Sequence, residues 1–390
     1  MPDKPLNLML VAGEPSGDLL GAELMAALKD LTHGDVKIVG VGGDAMVREG
    51  LDPLFDLSAT SIMGLQEVVP KIPEVLRRIR RAAEFAAATK PDAVVLIDSP
   101  DFTHRVAKRI RKIAPDIPTI NYVAPQVWAS RPGRAKTMAS YFNLVLALLP
   151  FEPPFFAGYG LKAVFVGHPA LARGKNMVGG EAFRARHGIP AEAPLLAVLP
   201  GSRSMEVRHL LPVFAETMAL LKDRVPGLHT VIPAVPHVAG RIRQGTEHWP
   251  LPLTVVSGDD EKFALFDAAD AALAASGTVT TELALSRTPM IVTYKAGKLT
   301  AWIYRKLIGV KVRYFTLMNL ILDRLAVPEL MQEDCRPEPV AAAVATLLTD
   351  PAAAARQVAE QNEALRLMGE GADQPSRRAA KAILEFLGRK

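Results

Sequence analysis

The chain has 390 residues, 49% of them hydrophobic, with 46 Lys and Arg against 41 Asp and Glu and a formal net charge of +5. So much apolar material excludes a disordered chain, and the length suits two domains. The single cysteine, Cys335, excludes an intrachain disulfide and points to a reducing compartment, and no uncharged apolar run is long enough to span a bilayer.

In chain order, short runs rich in Val, Ile and Leu lie at Leu6–Ala12, Lys37–Val41, Ala93–Ile97, Thr119–Val123, Leu144–Leu149 and Ala163–Val166. They resume at Leu195–Leu199, Thr230–Pro233, Leu253–Val256, Ala271–Ala274 and Met290–Thr293. They are too short for helices and lack polar alternation, so they predict parallel strands buried on both faces. Amphipathic stretches such as Leu19–Leu31, Pro73–Ala88 and Leu210–Arg224 lie between them, and alternating strand and helix predicts doubly wound α/β sheets. The first run reads as a strand and not a signal peptide, since Gly13-Glu14-Pro15 follows it at once. The rhythm pauses between Ala170 and Pro194, a polar, glycine-rich stretch read as a linker. Residues 1–170 and 171–338 then form two Rossmann-like halves, and 339–390 a helical tail.

Three turns follow strands and open helices, where free backbone N–H groups suit an anion. They are Gly13-Glu14-Pro15-Ser16-Gly17-Asp18, Gly201-Ser202-Arg203 and Ser276-Gly277-Thr278. At the second, Gly201 admits close approach of a ligand and Arg203 offers two parallel contacts to phosphate. After the third, Glu282 suits a ribose diol, although a capping box would also pair a hydroxyl residue with that glutamate. Two anion turns in one half point to a nucleotide diphosphate. In the first half, Asp98 ends a buried strand in Ile97-Asp98-Ser99-Pro100-Asp101. That edge lines the ligand crevice of open α/β sheets, so a partly desolvated Asp98 is the candidate general base and Asp101 a candidate helix cap. Histidines and carboxylates show no ligand spacing, so neither metal nor cofactor is expected.

The mild positive charge has a local feature. Ile62, Met63, Leu65, Val68, Val69, Ile72 and Leu76 lead into Arg77, Arg78, Arg80 and Arg81. Apolar residues at 72, 75, 76 and 79 fit one helical face beside the arginines, which suits an anionic membrane surface or, alternatively, an ordinary core-facing helix. No aromatics interleave with the cations, so nucleic acid is not an expected partner.

Taken in order, GEPSGD from Gly13, GVGG from Gly40, IDSPDF from Ile97, YVAPQVWA from Tyr122, LPFE from Leu149, FVGHP from Phe165, LPGSR from Leu199 and SGT from Ser276 resemble the lipid-A-disaccharide synthases. The likeness runs to about Cys335. It implies a GT-B fold, two facing Rossmann domains with a cleft between them. It further implies inverting transfer of a diacylglucosamine unit from UDP to the 6-hydroxyl of diacylglucosamine 1-phosphate, without metal. Such enzymes sit peripherally on the cytoplasmic face of the inner membrane. The resemblance assigns Asp98 as base. It gives Gly201, Ser202, Arg203, Ser276, Gly277, Thr278 and Glu282 to UDP, and Gly13, Glu14, Ser16, Gly17, Asp18 and Asn319 to the acceptor or cleft. Pro15 stands where the family usually has Ala, and Met318 where it has Pro. A nicotinamide-dependent oxidoreductase would need GxGxxG and an acidic end to the second strand, and both are missing. A non-catalytic UDP-sugar or lipid-binding module and a UDP-sugar 2-epimerase stay open as alternatives. So does the tail, which either folds back on the first domain or joins a homodimer.

Overall fold

The computed structural model describes residues 5–55, 65–297 and 313–389, with backbone alone for residues 65–71 and 130. The chain forms two compact units, Met1–Pro169 with Gly371–Lys390, and Ala170–Glu370.

In the first unit the strands are β1 (Leu6–Ala12), β2 (Val36–Val41), β3 (Ala93–Ile97), β4 (Thr119–Tyr122), β5 (Leu144–Ala147) and β6 (Ala163–Phe165). They pair in parallel in the order β2-β1-β3-β4-β5-β6. The intervening helices are α1 (Pro15–Leu31), α2 (Asp44–Arg48), α3 (Leu65–Thr89), α4 (Pro100–Ile113), α5 (Val127–Ser130), α6 (Arg134–Ala139) and α7 (Glu152–Ala157). Successive strand residues face opposite sides. Met9, Val11, Val94 and Leu96 therefore meet Ile79 and Ala83 of α3 and Phe102, Val106 and Ile110 of α4. Leu8, Leu10, Val95 and Ile97 meet Leu24 and Leu28 of α1. The same layer takes in Ala379, Ala380 and Ile383 of the last helix, Pro375–Phe386. That helix is tied down by Arg377 to Asp30 and by Arg378 Nη2 donating to the Phe165 carbonyl at 3.0 Å. The end of the tail thus packs on its own first unit.

In the second unit β7 (Leu195–Leu199), β8 (His229–Pro233), β9 (Leu253–Val256), β10 (Ala271–Ala275), β11 (Met290–Tyr294) and β12 (Glu329–Met331) pair in parallel in the order β12-β11-β10-β7-β8-β9. Helices α8 (Gly180–Arg186), α9 (Ser204–Arg224), α10 (Pro236–Thr246), α11 (Asp259–Ala268) and α12 (Val279–Leu285) alternate with them, and helices Leu317–Leu322, Pro337–Thr349 and Pro351–Leu367 follow.

The stretch read as a linker is a different object. It carries a 3-10 helix at Pro169–Asn176 and then α8, whose Phe183 is fully buried with Met177 and Ile189 in the second unit's core. Its glycines gave the misleading signal. Gly179 and Gly188, at φ 100° and 64°, bound a short helix in left-handed turns.

Candidate active site

In a doubly wound sheet, ligands bind beyond the C-terminal strand ends where successive connections diverge to opposite sides. The strand orders put that point between β1 and β3 in the first unit and between β7 and β10 in the second. The motif turns follow these four strands. Each unit therefore gathers its own pair at its switch point.

In the first unit α1 begins inside the first motif, with Pro15 at a first-turn position where its missing N–H goes unused. Gly13 and Gly17 let α1 approach the end of β3. A Cβ on Gly13 would stand 2.5 Å from Ser99 Cβ, and one on Gly17 would stand 3.1 Å from the Ile97 carbonyl oxygen. Closeness on this scale lets Ser16 Oγ donate to Asp98 Oδ2 at 2.8 Å, while Ser99 N–H donates to Asp98 Oδ1 at 2.8 Å. Each carboxylate oxygen keeps a lone pair for a further donor. Asp98 is half-buried and its neighbour Ser99 buried. Their backbones, at φ 53° and 43°, and that of Val123 at 72° are left-handed without glycine. Such strain gathers at ligand and catalytic sites, and for a β-branched residue it is a true outlier. Asp98 N–H donates to the Tyr122 carbonyl at 2.9 Å, which ties the two strained turns together.

Two residues expected at the acceptor turn out to be fastenings. Asp18 is buried, and its carboxylate accepts the N–H groups of Gly43, Ala45 and Met46 at 2.7, 2.9 and 3.1 Å, so it anchors the GVGG turn and opens α2. Asn319 is fully buried beside Met318. Its Oδ1 accepts from Ala326 N and Val327 N at 2.8 Å, and its Nδ2 donates to the Val327 carbonyl and to Glu329 Oε1 at 2.7 and 2.8 Å. No donor or acceptor of that amide is left over for a substrate. Glu14, by contrast, is exposed at the start of α1. Asp101 lies in the first turn of α4, whose cap position is Ser99 and not Asp101.

In the second unit the space above Gly201, at φ 109°, is filled by Glu206, which a Cβ there would meet at 2.5 Å. Glu206 Oε2 accepts from Ser202 N and Arg203 N at 3.1 and 3.2 Å, and its Oε1 pairs with Arg203 Nη1 at 3.2 Å. The glutamate half of a capping box thus forms at the Arg203 turn, and Gly201 makes room for an internal carboxylate. The Arg203 side chain remains 84% exposed. At the other turn, Gly277 and Thr278 are exposed and Gly277 has open space where a Cβ would stand. One helical turn on, Glu282 is buried between two cations, Arg173 Nη1 at 2.6 Å and Lys262 Nζ at 3.3 Å. Neither cation was legible as a site residue, because one lies 109 residues away in sequence and the other sits on α11.

The apolar face expected on α3 divides. Val75 and Ile79 pack into the core, whereas Ile72 and Leu76 point outward, at 43% and 49% exposure. The stripe is wider than the core can cover, so its outer edge stays in solvent. Arg77, Arg80 and Arg81 are exposed beside it, while Arg78 turns inward to Glu74 at 2.8 Å. Leu65, Val68 and Val69 lie on α3 by their backbone; Ile62 and Met63 fall outside the described residues. No helix among the described residues is long and apolar enough to cross a membrane.

Residues 8–383 match the lipid-A-disaccharide synthetase family. The chain belongs to that family. A lipid-A-disaccharide synthase from Rhodospirillum centenum is 47% identical over 384 residues, covering 98% of this chain and 95% of that protein. The family's fold is GT-B. MurG from Acinetobacter baumannii superposes with a TM-score of 0.58 at 15% identity, covering 98% of this chain and all of that one. A UDP-GlcNAc 2-epimerase from Neisseria meningitidis bound to UDP-GlcNAc does so at 0.61 and 14%, covering 98% and 99%. At such low identity these two share the architecture alone. The family match makes the chain a glycosyltransferase of lipid A biosynthesis and leaves the epimerase alternative without support.

Proposed function

We propose that this chain transfers a 2,3-diacylglucosamine unit from UDP to the 6-hydroxyl of 2,3-diacylglucosamine 1-phosphate with inversion, giving a β(1→6) disaccharide 1-phosphate and UDP. Asp98 takes the proton from the acceptor hydroxyl as its oxygen attacks the donor's anomeric carbon. The bond from that carbon to the diphosphate oxygen breaks. Arg203 and the Ser276-Gly277-Thr278 turn stabilise the departing charge, with Gly201 and Ser202 shaping the other side of the diphosphate site. Glu282, already oriented by Arg173 and Lys262, accepts the ribose hydroxyls on its remaining lone pairs. Residues 1–170 serve the acceptor, with Gly13, Glu14, Ser16 and Gly17 around Asp98, and 171–338 serve the donor.

The observation that carries this reading is Asp98 itself. It is a half-buried carboxylate at the switch point, aimed by Ser16 and Ser99 from a strained turn. The acyl chains of both substrates call for an apolar surface, and Ile72 and Leu76 beside Arg77, Arg80 and Arg81 supply one suited to anionic lipid. We assign the chain a peripheral place on the cytoplasmic face of the inner membrane on that ground. A homodimer through the tail would exchange the packing that helix Pro375–Phe386 makes with α1.

The test incubates the full chain with both lipid substrates and quantifies disaccharide and UDP. Folded protein that yields neither refutes the reading. Asp98→Asn is expected to lower turnover by about 10²–10⁴, the range for loss of a general base, with UDP affinity kept. Near-normal turnover removes Asp98 from that role.

A further inference from the structure

The motifs YVAPQVWA, from the end of β4, and LPFE, after β5, have no part in the reaction as described. Their side chains meet. Glu152, only 2% exposed, opens α7. Its Oε2 accepts the N–H groups of Leu148 and Leu149, both at 3.0 Å, and its Oε1 accepts the indole N–H of Trp128 at 3.2 Å. Among the described residues no cation pairs with it. A buried carboxylate without a counter-ion is costly, and here burial pushes its pKa up to about 7 despite the three N–H donors. Capping two backbone N–H groups does not require that carboxylate to reach a third donor on the next loop.

What it holds is an aromatic ring beyond the end of β4, the strand beside the one that carries Asp98. Trp128 lies on the short helix α5 that follows β4, between the turn that carries Asp98 after β3 and the start of α7 after β5. Phe151 meets its ring edge-on, with centroids 5.0 Å apart at 89°. The indole is thus fixed at its N–H and by a neighbouring ring, yet stays partly exposed. The loop that presents it starts at the strained Val123, whose preceding carbonyl takes the Asp98 N–H. An amphipathic ring held at a rim, with one polar group satisfied internally, suits a ligand that is apolar on one face and hydroxylated at its edges. A pyranose is such a ligand.

We propose that Trp128 is the platform for the acceptor's sugar ring and that Glu152 is the positioning residue that holds the indole in place. This rests on the transferase reading above and adds the contact that would orient the acceptor hydroxyl toward Asp98. The test uses the full chain as W128A, W128F, E152Q and the double variant W128F/E152Q. Acceptor KM, donor KM and kcat are measured together with calorimetric UDP binding. In E152Q an amide N–H must face either the indole or the two backbone donors. W128A and E152Q are expected to raise acceptor KM about tenfold, the scale of one charged hydrogen bond or one stacked ring, and to leave donor KM and UDP affinity within about twofold. Phenylalanine has no N–H for Glu152 to hold, so the double variant should match W128F alone.

Additive losses in the double variant, or an unchanged acceptor KM in W128A, overturn the proposal. If E152Q does not fold, the W128A and W128F values decide it. If the wild type makes no disaccharide, the transferase reading falls, and binding decides this one. Trp249 and Trp302 are replaced by Phe, and the emission of Trp128 is followed against diacylglucosamine 1-phosphate. A saturable change that weakens in E152Q supports the platform, and no change refutes it.

Discussion

Removing the Arg203 side chain separates binding from stability. The guanidinium is 84% exposed and pairs with Glu206 at 3.2 Å. An exposed ion pair contributes roughly 0–1 kcal/mol, so Arg203→Ala should shift the melting temperature by no more than about 2–4 °C. Binding is another matter. Glu206 already occupies the N–H groups of Ser202 and Arg203. The guanidinium is therefore the charged donor this turn has left to offer a diphosphate, beside the Ser202 hydroxyl. A hydrogen bond to a charged partner is worth about 1.5–3 kcal/mol, which corresponds to UDP affinity weakened about 10- to 150-fold. Arg203→Lys, which keeps the charge and loses the fork, should fall between. Calorimetric titration of UDP into each full-length variant, with a thermal melt of the same sample, reads both quantities. Affinity within twofold of the wild type refutes the assignment. So does weakened binding accompanied by a melting temperature lowered by 10 °C or more, since the loss would then be structural.

Gly13→Ala brings a Cβ to 2.5 Å from Ser99 Cβ; overpacking of this kind costs about 1–3 kcal/mol, and turnover should drop while UDP affinity holds, as read by denaturant midpoint and initial rates. Asn319→Ala strands the N–H groups of Ala326 and Val327 in a fully buried place, and a loss of about 2–6 kcal/mol is expected at roughly 1–3 kcal/mol per unsatisfied group; an unchanged melting temperature with lost turnover would return Asn319 to a substrate-contacting role. His104 is held down to about 4, first by burial and then by Lys108 and Arg134, with Asp101 opposing. Its unfolded form takes a proton near pH 6.5 and its folded form only near 4, so stability drops as pH falls between these values. At 1.36 kcal/mol per unit this amounts to on the order of 3 kcal/mol, and the wild-type minus His104→Phe difference in unfolding free energy should show that slope; a flat difference refutes it.

Burial on both faces is what made the strands legible. A parallel strand under two helical layers has no polar position to interrupt it, and β3 and β7, buried throughout, begin and end where their apolar runs do. β12 escaped notice because an edge strand of three residues, Glu329–Met331, makes no run, and its glutamate serves a different end. Glu329 Oε1 accepts from Thr316 N at 2.7 Å and from Asn319 Nδ2 at 2.8 Å. Helix starts were read late for a related reason. α1 begins at Pro15 and α9 at Ser204, inside motifs whose glycines and polar residues look like loop.

The turns show why a motif can locate a site and still misassign its members. In the first one, Gly13 and Gly17 set the distance to β3, Ser16 aims Asp98, and Asp18 faces away to hold the next turn. In the second, Gly201 yields its space to Glu206, three residues inside the helix from Arg203. Spacing along the chain brings such residues to one strand end, but the direction of each side chain depends on a partner from another strand or helix. A short-range pattern carries no trace of Arg173 reaching Glu282 or of Trp128 reaching Glu152, because each pair is joined only when separate loops converge on one sheet edge. Residues that fasten the turn and residues that face the ligand are therefore alike in sequence. What separates them is whether their hydrogen bonds are already spent. Asp18 has given its carboxylate to backbone N–H groups and Asn319 its amide to the backbone and Glu329, while Asp98 and Arg203 still have some to give.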